Sequence, residues 1–412
     1  MPKIIPFKAV RPTRDKISLV AARSYEAYSK KGLKSRMKSN PYSFLHIVNP
    51  GYKYHKKLSG QERFKLVRNR YQEFKEDGIF MQEETPAFYA YKIVDRENNS
   101  FFGFVAGASA DDYKNNRIKK HEDTIAHREE LFKEYLDEVG FNAEAVLLTY
   151  PDNDTLAAIL EEKSKERAEY EFTTTHKDTH YLWPIQDEKS IQVIQDSFKA
   201  MKHLYIADGH HRSASSSLLA QEHQEKDPNP QENSPYNFFM SYLIPESHLI
   251  IKEFNRLITD LNGLSKEEFL VQLDNFYRIE NRGDIPYNPS KKHHFSMYID
   301  GEFYSLYLRK NMYEFSNSLE ALDTHILQKT ILEPILGIKD IRTNKRIAYT
   351  QGKKDITYVK GLVDEGTYSV GFGMLPITID ELKKVADEGY TMPPKSTYIE
   401  PKLRGGVTIY EF

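Results

Sequence analysis

Short apolar runs alternate with amphipathic stretches along most of the chain, and this alternation is the main guide to its fold. From Phe64 to Phe74 apolar side chains recur every three or four residues, so 60–78 is predicted as an amphipathic helix with one face in a core. Apolar runs bounded by turn residues, such as 145–150 and 238–244, predict strands instead. Because strands and helices follow one another in this way, the sequence predicts an α+β fold with a mixed α/β arrangement around a sheet.

Three further stretches have less regular patterns. Residues 43–48 and 354–363 are apolar runs that we predict as strands, and 249–261 is predicted to begin as a strand and end as a helix. Ser265, three residues before Glu268, forms a capping-box pattern, which predicts that a helix begins at this point.

A polar stretch at 221–236, rich in Gln, Glu, Asn and Pro, interrupts the alternation. This composition predicts a mobile loop and a domain border. We therefore predict an N-terminal α/β domain at 1–220 and a C-terminal α+β domain at 237–412, with the alternative that the strand after the loop returns to the first sheet.

Composition limits the classes of protein to which the chain can belong. Its 412 residues, 39% hydrophobic and 29% charged, are enough for two or three ordinary globular domains. The 58 basic and 60 acidic residues nearly cancel, so no overall charge favours nucleic acid or a membrane surface as a partner. The absence of cysteine excludes disulfides, thiolate zinc sites and a cysteine nucleophile. Since the sequence shows no signal-peptide pattern and no apolar run of membrane-spanning length, a cytoplasmic protein is expected.

The stretch with the clearest chemistry is 203–220, which reads HLYIADGHHRSASSSLLA. An apolar run ends in Asp208 and Gly209 and is followed by two histidines, an arginine and small residues, which predicts a strand, a tight turn and a helix. The first turn of such a helix offers unpaired N–H groups, and Arg212 adds donors that suit phosphate oxygens. Asp208 is suited to binding a metal ion or accepting a proton. The pattern is consistent with a phosphate site. It is equally consistent with a structural turn in which the Asp caps the helix and the histidines face solvent.

A second candidate is the run RIKKHED at 117–123, just before a predicted helix. Glu122 lies at a loop-to-helix junction, where the helix dipole favours a carboxylate, but an ordinary helix cap uses the same position. A zinc-protease motif does not fit, because His121 and His127 are six residues apart rather than four. Spacing alone therefore leaves a functional and a structural role open for His121 and Glu122.

A third polar set lies near the C-terminus. Two prolines precede Lys395, Ser396 and Thr397, and Lys402 and Arg404 follow. A stiff loop of this kind either holds donors over a ligand or forms a structural lid with solvated charges, and composition does not decide between the two.

Several stretches taken together resemble one bacterial family, a domain of unknown function with the number ten-fifteen. They lie in order over essentially the whole chain, so the resemblance is more specific than any single motif. The matching stretches are 40–45, 77–86, 111–113, 120–124, 207–212, 254–256, 331–337 and 392–404. The chain departs from the family pattern after Thr124. The family has a Lys and an Asp-Arg pair there, whereas this chain keeps only a basic residue near Arg128.

The Asp-Gly-His-His-Arg run at 208–212 is also similar to the phosphate-binding box of the ParB and sulfiredoxin superfamily, and free-serine kinases of that superfamily show a nearly identical run. The resemblance implies a ParB/sulfiredoxin-like core with a strand-turn-helix phosphate site, elaborated by a second α+β region. It also implies a nucleotide-dependent kinase that phosphorylates free L-serine to O-phospho-L-serine. This agrees with the residues themselves, because phosphoryl transfer needs positioning and charge neutralisation more than covalent chemistry.

The resemblance also implies roles for individual residues. ATP or ADP is the expected cofactor, together with Mg²⁺ that bridges the phosphates, since no protein cage of carboxylates is evident. Glu122 is the first choice for the base that orients the acceptor hydroxyl, and Asp208 is the second choice or a magnesium ligand; His121 completes the catalytic set. The residues expected to bind phosphates are Gly209, His210, His211, Arg212 and Ser213, and those expected to bind the acceptor are Lys120, Lys395, Ser396 and Thr397.

Two alternatives to a kinase stay open. A nucleotide-binding switch of the ParB type would work without turnover, but it predicts a helix-turn-helix or basic arm for DNA that the sequence does not show. A scaffold protein would retain the turn without using it. The sequence does not fix the acceptor, the choice between ATP and ADP, or the oligomeric state, for which a homodimer is one option.

Overall fold

The computed structural model describes residues 1–350 and 355–412, which form two compact units. Unit 1 comprises 1–120, 124–249 and 401–412, and unit 2 comprises 121–123 and 250–400. Both units combine helices with strands, which confirms the predicted α+β class.

The strands of the described residues are numbered in chain order. They are β1 (Ile4–Ile5), β2 (Val10–Pro12), β3 (Phe80–Gln82), β4 (Phe88–Val94), β5 (Ser100–Ser109), β6 (Ile118–Lys119), β7 (Phe141–Asn142), β8 (Val146–Tyr150), β9 (Tyr170–Thr173), β10 (Thr179–Ile185), β11 (Leu204–Asp208), β12 (Phe238–Pro245), β13 (Ile250–Lys252), β14 (Asn255–Ile258), β15 (Tyr277–Gly283), β16 (His294–Ile299), β17 (Glu302–Leu308), β18 (Ile347–Thr350), β19 (Val370–Met374), β20 (Tyr398–Glu400) and β21 (Tyr410–Glu411).

The α-helices are numbered in the same way. They are α1 (Ile17–Val20), α2 (Lys30–Ser39), α3 (Leu45–Val48), α4 (Gly60–Glu76), α5 (Ala110–Lys114), α6 (Ala126–Val139), α7 (Asp154–Lys163), α8 (Glu188–Ala200), α9 (His210–Lys226), α10 (Lys266–Asp274), α11 (Asp323–Leu327), α12 (Ile356–Asp364) and α13 (Ile379–Asp387).

Unit 1 is built around a mixed sheet that contains nine strands within the described residues. The strand order is β6-β11-β8-β12-β5-β4-β10-β9, and β1 pairs with β5. β12 runs parallel to β8 and β11 runs parallel to β6, whereas β11 and β8 are antiparallel. The central strands β5, β8 and β12 are buried on both faces, so they appear in the sequence as continuous apolar runs rather than alternating ones.

Helices of unit 1 supply two apolar cores. In the first core, Ile194 and Phe198 of α8 pack against Phe104 and Leu148 of the sheet. In the second, α4 contributes its buried apolar stripe, as the periodicity of 60–78 predicts.

Unit 2 contains an antiparallel sheet whose order within the described residues is β15-β17-β16-β19-β14-β18. Side chains of a strand alternate between the two faces of a sheet. Accordingly, Met297 and Ile299 of β16 pack in one core with α10 and α11, whereas Tyr298 packs with α12. The predicted capping box at Ser265 is present at the start of α10.

Two predicted strands are helices in the structure. Residues 43–48 contain the short helix α3, and a run of so few apolar residues has no period that would distinguish the two structures. Most of 354–363 is α12, because the Asp355 carboxylate accepts hydrogen bonds from the first N–H groups of the helix and caps it. Its buried residues include Ile356 and Val363, whose spacing is helical. Lys354 lies outside the described residues.

The predicted helical end of 249–261 is also wrong. This segment forms β13, which pairs with β20, and β14, which pairs with β18 and β19 in the larger sheet of unit 2.

The division into units differs from the predicted border at 221–236. Helix α9 continues through the first six of these residues. After the loop, β12 pairs with β5 and β8, so the chain returns to the first sheet before unit 2 begins at 250. The segment 401–412 also belongs to unit 1.

A buried polar cluster in unit 1 contains Arg404, which the sequence places in the C-terminal polar set. The Arg404 Nε donates to His180 Nε2 at 3.3 Å, and the Arg404 Nη2 lies 3.2 Å from Asp178. The other ring nitrogen of His180, Nδ1, lies 2.8 Å from the Tyr91 hydroxyl. Burial, with the Arg404 charge, lowers the pKa of His180 to about 3. His180 is therefore neutral in the folded protein at pH 7, with Nε2 as the acceptor.

We expect His180 to make the stability of unit 1 sensitive to acid. In the unfolded chain this histidine takes up a proton near its ordinary pKa of about 6.5, whereas in the folded chain it does so only near pH 3. The free energy of unfolding therefore falls as the pH drops below about 6.5, by roughly 1 to 2 kcal/mol per pH unit from this residue. Urea unfolding between pH 7 and pH 4.5 measures the loss. In His180→Gln the loss should be smaller, and an equal loss in both proteins would contradict the assignment.

Candidate functional site

The strand, turn and helix predicted for 203–220 are present. β11 ends at Asp208, Gly209 follows it, and α9 begins at His210. The pairing of β11 with β8 shifts register between Ile206 and Asp208. Such an irregularity changes the direction of a side chain at the end of a strand.

Gly209 is required by the geometry of the turn. Its φ angle is +106°, a conformation that residues with a Cβ rarely adopt. A Cβ placed on Gly209 would lie 3.1 Å from the guanidinium of Arg212, so this side chain packs directly against the turn. The N-cap residue of α9 is Gly209, which has no side chain to form a cap hydrogen bond. The alternative in which Asp208 is the N-cap of the helix is therefore wrong.

The Asp208 carboxylate lies between two cations. Its Oδ2 accepts a hydrogen bond from Arg212 Nη2 at 2.8 Å, and its Oδ1 accepts one from Lys402 Nζ at 2.9 Å. All three side chains are partly exposed. Because two cations surround one carboxylate, the three groups together carry a net positive charge.

The pKa of Asp208 reflects these neighbours. Burial acts to raise it, but the Lys402 ammonium and the Arg212 guanidinium together hold the pKa of Asp208 below its ordinary value. The carboxylate is therefore ionised at neutral pH. An ionised carboxylate with a low pKa is a better ligand for a cation than an acceptor of protons.

Arg212 also anchors the turn to the sheet. Its Nη1 donates to the backbone carbonyl of Ala145, the residue before β8. The guanidinium thus links Asp208, the turn and the neighbouring strand, and its position is fixed by contacts on two sides.

The two histidines of the turn occupy different environments. His210 is only 5% exposed, so the expectation that both histidines face solvent is wrong for this residue. The His211 Nδ1 is buried and has no hydrogen-bond partner in the part of the chain that the structure describes. Burial, with the nearby Arg128 charge, lowers the pKa of His211, so its ring is neutral at neutral pH. A neutral imidazole with a free ring nitrogen is suited to donate or accept one hydrogen bond from a ligand.

Ser213 is fully buried, and its hydroxyl donates to the Gly209 carbonyl at 3.3 Å. The hydroxyl already has a partner within the turn. Its predicted contact with phosphate stays a prediction.

An apolar cleft of about 600 Å³ lies beside the start of α9 in unit 1. Its walls are mainly aromatic and aliphatic, with Phe132 and Tyr135 of α6 stacked on each other at 5.4 Å. The histidine and the charged residues that line it are Arg63, Arg128, Glu144, His211 and Arg212. This combination of a mainly apolar volume with a few polar groups is typical of small-molecule sites.

The predicted residues of the RIKKHED run lie in two units. Lys120 belongs to unit 1, where its Nζ lies 5.7 Å from the ring centre of Tyr113. His121 and Glu122 belong to unit 2, where His121 is buried, Glu122 is exposed, and the His121 carbonyl accepts a hydrogen bond from the Met392 N–H. Their predicted roles stay predictions.

The predicted acceptor-binding residues near the C-terminus all belong to unit 2. Ser396 is buried, and its hydroxyl contacts the Pro393 carbonyl at 2.6 Å and the Thr324 hydroxyl at 3.2 Å. Lys395 is exposed, with its Nζ 5.7 Å from the ring centre of Phe254, and Thr397 is half-buried. The contacts of Ser396 are those of a structural residue.

Lys402 is missing from the predicted site residues, although it stands in the same polar set. It joins the turn across 194 residues of sequence. The sequence feature that indicated Lys402 was the concentration of lysine and arginine near the C-terminal prolines. Only the structure, in which 401–412 belongs to unit 1, shows that Lys402 contacts the Asp208 carboxylate.

Replacing Lys402 by methionine is expected to raise the pKa of Asp208, because the ammonium is the larger of the two attractions. An aspartate with a depressed pKa stabilises the fold above its unfolded pKa, and this contribution disappears as the pH falls through the folded pKa. The difference in unfolding free energy between wild type and Lys402→Met should thus be largest near pH 7 and should vanish near pH 2. Since the Lys402–Asp208 pair is partly exposed, this difference in unfolding free energy should not exceed about 1 kcal/mol. Urea unfolding over this pH range measures it, and a difference that is constant with pH would contradict the pairing.

The described residues of the turn do not form a dedicated metal site. Within the described residues there is no group of three or more His, Asp or Glu side chains that could hold a metal ion. Mg²⁺ commonly binds through one carboxylate together with nucleotide phosphates and water. Asp208 is the carboxylate at the turn that could serve in this way.

The fold and the site together define a class: an α+β protein with a glycine turn between strand β11 and helix α9, and a net positive charge on the side chains at that turn. Comparison with family models then places the chain. Residues 4–325 match the family described as "Protein of unknown function (DUF1015)", and the chain belongs to this family. The predicted family is thereby confirmed.

Other comparisons give weaker results. A search of the curated proteins finds no match. Among solved structures, a free serine kinase in complex with AMP is 12% identical, with a TM-score of 0.36 over 74% of this chain and 91% of that chain. SbnI from Staphylococcus aureus, with a C-terminal truncation, is 12% identical, with a TM-score of 0.39 over 74% and 85%. A conserved hypothetical protein from Pyrococcus furiosus is 12% identical, with a TM-score of 0.34 over 73% and 91%.

Of the helices in the described residues, none is both long and apolar enough to span a bilayer.

Proposed function

We propose that the chain is a nucleotide-dependent small-molecule kinase, with free L-serine as acceptor and O-phospho-L-serine as product. The proposal includes a ParB/sulfiredoxin-like core and a cytoplasmic location, where ATP and ADP are available. The observation that supports it is the turn at 208–212, where a glycine with positive φ is the N-cap of a helix and two cations contact one ionised aspartate.

The turn supplies what phosphate oxygens require. The N–H groups at the start of α9 point along the helix axis, and the positive end of the helix dipole adds to their attraction for an anion. Arg212 retains donors beyond those that it gives to Asp208 and Ala145, since a guanidinium has five. His211 offers one more ring nitrogen. We therefore assign the phosphates of ATP or ADP to this turn.

The apolar cleft beside α9 is the proposed place for the nucleoside. His211 and Arg212 are common to the turn and to the cleft wall. A nucleotide bound in this way would have its base against aromatic side chains and its phosphates at the helix N-terminus. The cleft volume of about 600 Å³ lies within the range of sites for ligands of this size.

Asp208 is proposed as a ligand of the Mg²⁺ ion that accompanies the nucleotide. Its low pKa favours this role over that of a general base, because it is ionised at neutral pH and holds a proton weakly. The ion would neutralise phosphate charge as the phosphoryl group is transferred.

The proposed reaction is a displacement at phosphorus. The serine hydroxyl oxygen forms a bond to the terminal phosphorus atom, the bond between that phosphorus and the bridging oxygen breaks, and the shortened nucleotide leaves. The hydroxyl proton passes to a carboxylate. Glu122 is the first candidate for this base because it is exposed and lies in the stretch that resembles the family, whereas Asp208 is the second. His121 and Lys120 are proposed to hold the acceptor.

Nucleotide binding tests the first half of the proposal. Isothermal titration calorimetry with ATP and with ADP, each with and without Mg²⁺, should show saturable binding of at least one nucleotide to the wild-type chain. Binding without any phosphoryl transfer to a hydroxy amino acid would favour the ParB-type switch instead. No binding of either nucleotide would contradict both functions and would leave a scaffold role.

A further inference from the structure

A polar cleft in unit 2 is separate from the residues assigned to the nucleotide. It has a volume of about 230 Å³ and is lined by residues that are distant from one another in sequence. Asp123 comes from 121–123, Lys339 and Arg342 follow the 331–337 stretch, and Met392 to Pro394 begin the C-terminal polar set. The proposed function uses none of these side chains.

Both acidic and basic side chains line this cleft. The Asp123 Oδ2 accepts hydrogen bonds from Arg342 Nη2 at 3.2 Å and from the Thr391 hydroxyl at 3.0 Å. Its Oδ1 accepts no hydrogen bond from the described residues. Lys339 is exposed and forms no ion pair within the described ranges 1–350 and 355–412. One carboxylate oxygen and one ammonium group are therefore available to a ligand, and the Arg342 guanidinium keeps further donors.

The other titratable groups of the cleft are occupied or neutral. Asp340 accepts hydrogen bonds from the Arg342 N–H and from the Thr343 hydroxyl, which stabilise its own loop and hold its pKa below the ordinary value. Burial, with the Lys329 charge, lowers the pKa of His325, so this ring is neutral at pH 7.

We propose that unit 2 binds a small zwitterion, an α-amino acid with free ammonium and carboxylate groups, in the cleft lined by Asp123, Lys339 and Arg342. A purely anionic ligand would face the Asp123 carboxylate, and a purely cationic one would face Lys339 and Arg342. An amino acid satisfies both, with its carboxylate on the cations and its ammonium on Asp123. The volume is below that of drug-sized sites, so it suits an amino acid with a short side chain and excludes a nucleotide.

This inference concerns binding by unit 2 alone and holds whether or not the turn transfers phosphate. Saturation-transfer NMR and calorimetry on the full chain, without nucleotide, test it. The probes are L-serine, glycine, L-lactate, which lacks the ammonium group, and ethanolamine, which lacks the carboxylate. We expect L-serine or glycine to bind at least tenfold more tightly than either single-charge probe.

Two variants locate the binding. Arg342→Met and Asp123→Asn should each weaken amino-acid binding at least tenfold while nucleotide binding stays unchanged. Arg309→Met is the matched control, because Arg309 also forms an ion pair in unit 2, with Asp274 at 2.9 Å, and does not line the cleft. No amino-acid binding, equal binding of lactate or ethanolamine, or unchanged binding in both cleft variants would overturn the inference. If the wild-type chain does not bind nucleotide, this result would instead contradict the proposed function.

Discussion

Replacing Arg212 by alanine is expected to weaken the binding of ATP or ADP by about ten- to a hundredfold. The guanidinium is the strongest donor at the turn, and a hydrogen bond between charged groups contributes about 1.5–3 kcal/mol. Each 1.4 kcal/mol corresponds to about a factor of ten in affinity. Calorimetry of the wild type and of Arg212→Ala with the same Mg²⁺-nucleotide gives the ratio.

The controls for this prediction separate binding from folding. Arg212 also holds Asp208 and the Ala145 carbonyl, so its removal should lower the free energy of unfolding as well. Arg212→Lys retains the charge without the planar fork and should have an intermediate affinity. Arg309→Ala removes an arginine from a surface ion pair of unit 2 and should leave nucleotide affinity unchanged. A folded Arg212→Ala protein with wild-type affinity would exclude the phosphate role of this side chain.

Replacing Asp208 by asparagine is expected to lower the rate of phosphoryl transfer at least a hundredfold while nucleotide affinity is retained. Asparagine has nearly the same shape, but its single oxygen can replace only one of the two carboxylate oxygens that accept from Arg212 and Lys402, and it carries no charge for a metal ion. With the negative charge removed, the two cations should bind the phosphates as well as before, or more tightly. The account therefore predicts a fall in kcat without a rise in the Kd of the nucleotide.

Asp178→Asn is the matched control for Asp208→Asn. Asp178 is also an aspartate of unit 1 that pairs with an arginine, Arg404 at 3.2 Å, and it does not line the cleft beside α9. Its replacement should leave turnover unchanged. If Asp208→Asn has the turnover of the wild type, Asp208 is neither a magnesium ligand nor the base.

The sequence predicts the turn well because its determinants are local. An apolar run, a glycine and a run of small residues specify strand, turn and helix within 203–220, and the structure has them in that order. The positive φ of Gly209 follows from the same pattern. The local pattern was less informative at 354–363. The apolar run there resembles a strand, but Asp355 caps a helix, α12, that begins at Ile356.

Long-range relations are what the sequence could not supply. Lys402 meets Asp208 only because 401–412 returns to unit 1, and no local pattern encodes this return. For the same reason the sequence could not decide between a border at 221–236 and the alternative that the next strand returns to the first sheet, where β12 pairs with β5 and β8. Side-chain burial also escaped prediction: His210 and Ser213 are polar in the sequence but buried in the fold.

Phosphorus NMR of the purified chain tests the central claim most directly. The sample contains Mg²⁺, ATP or ADP, and L-serine, with other free hydroxy amino acids tested in parallel. The account predicts a new phosphomonoester signal that grows with time and that is absent in Asp208→Asn and Glu122→Gln. Unchanged nucleotide spectra with every donor and acceptor, in a protein that is folded and binds the nucleotide, would contradict the claim that this chain is a kinase.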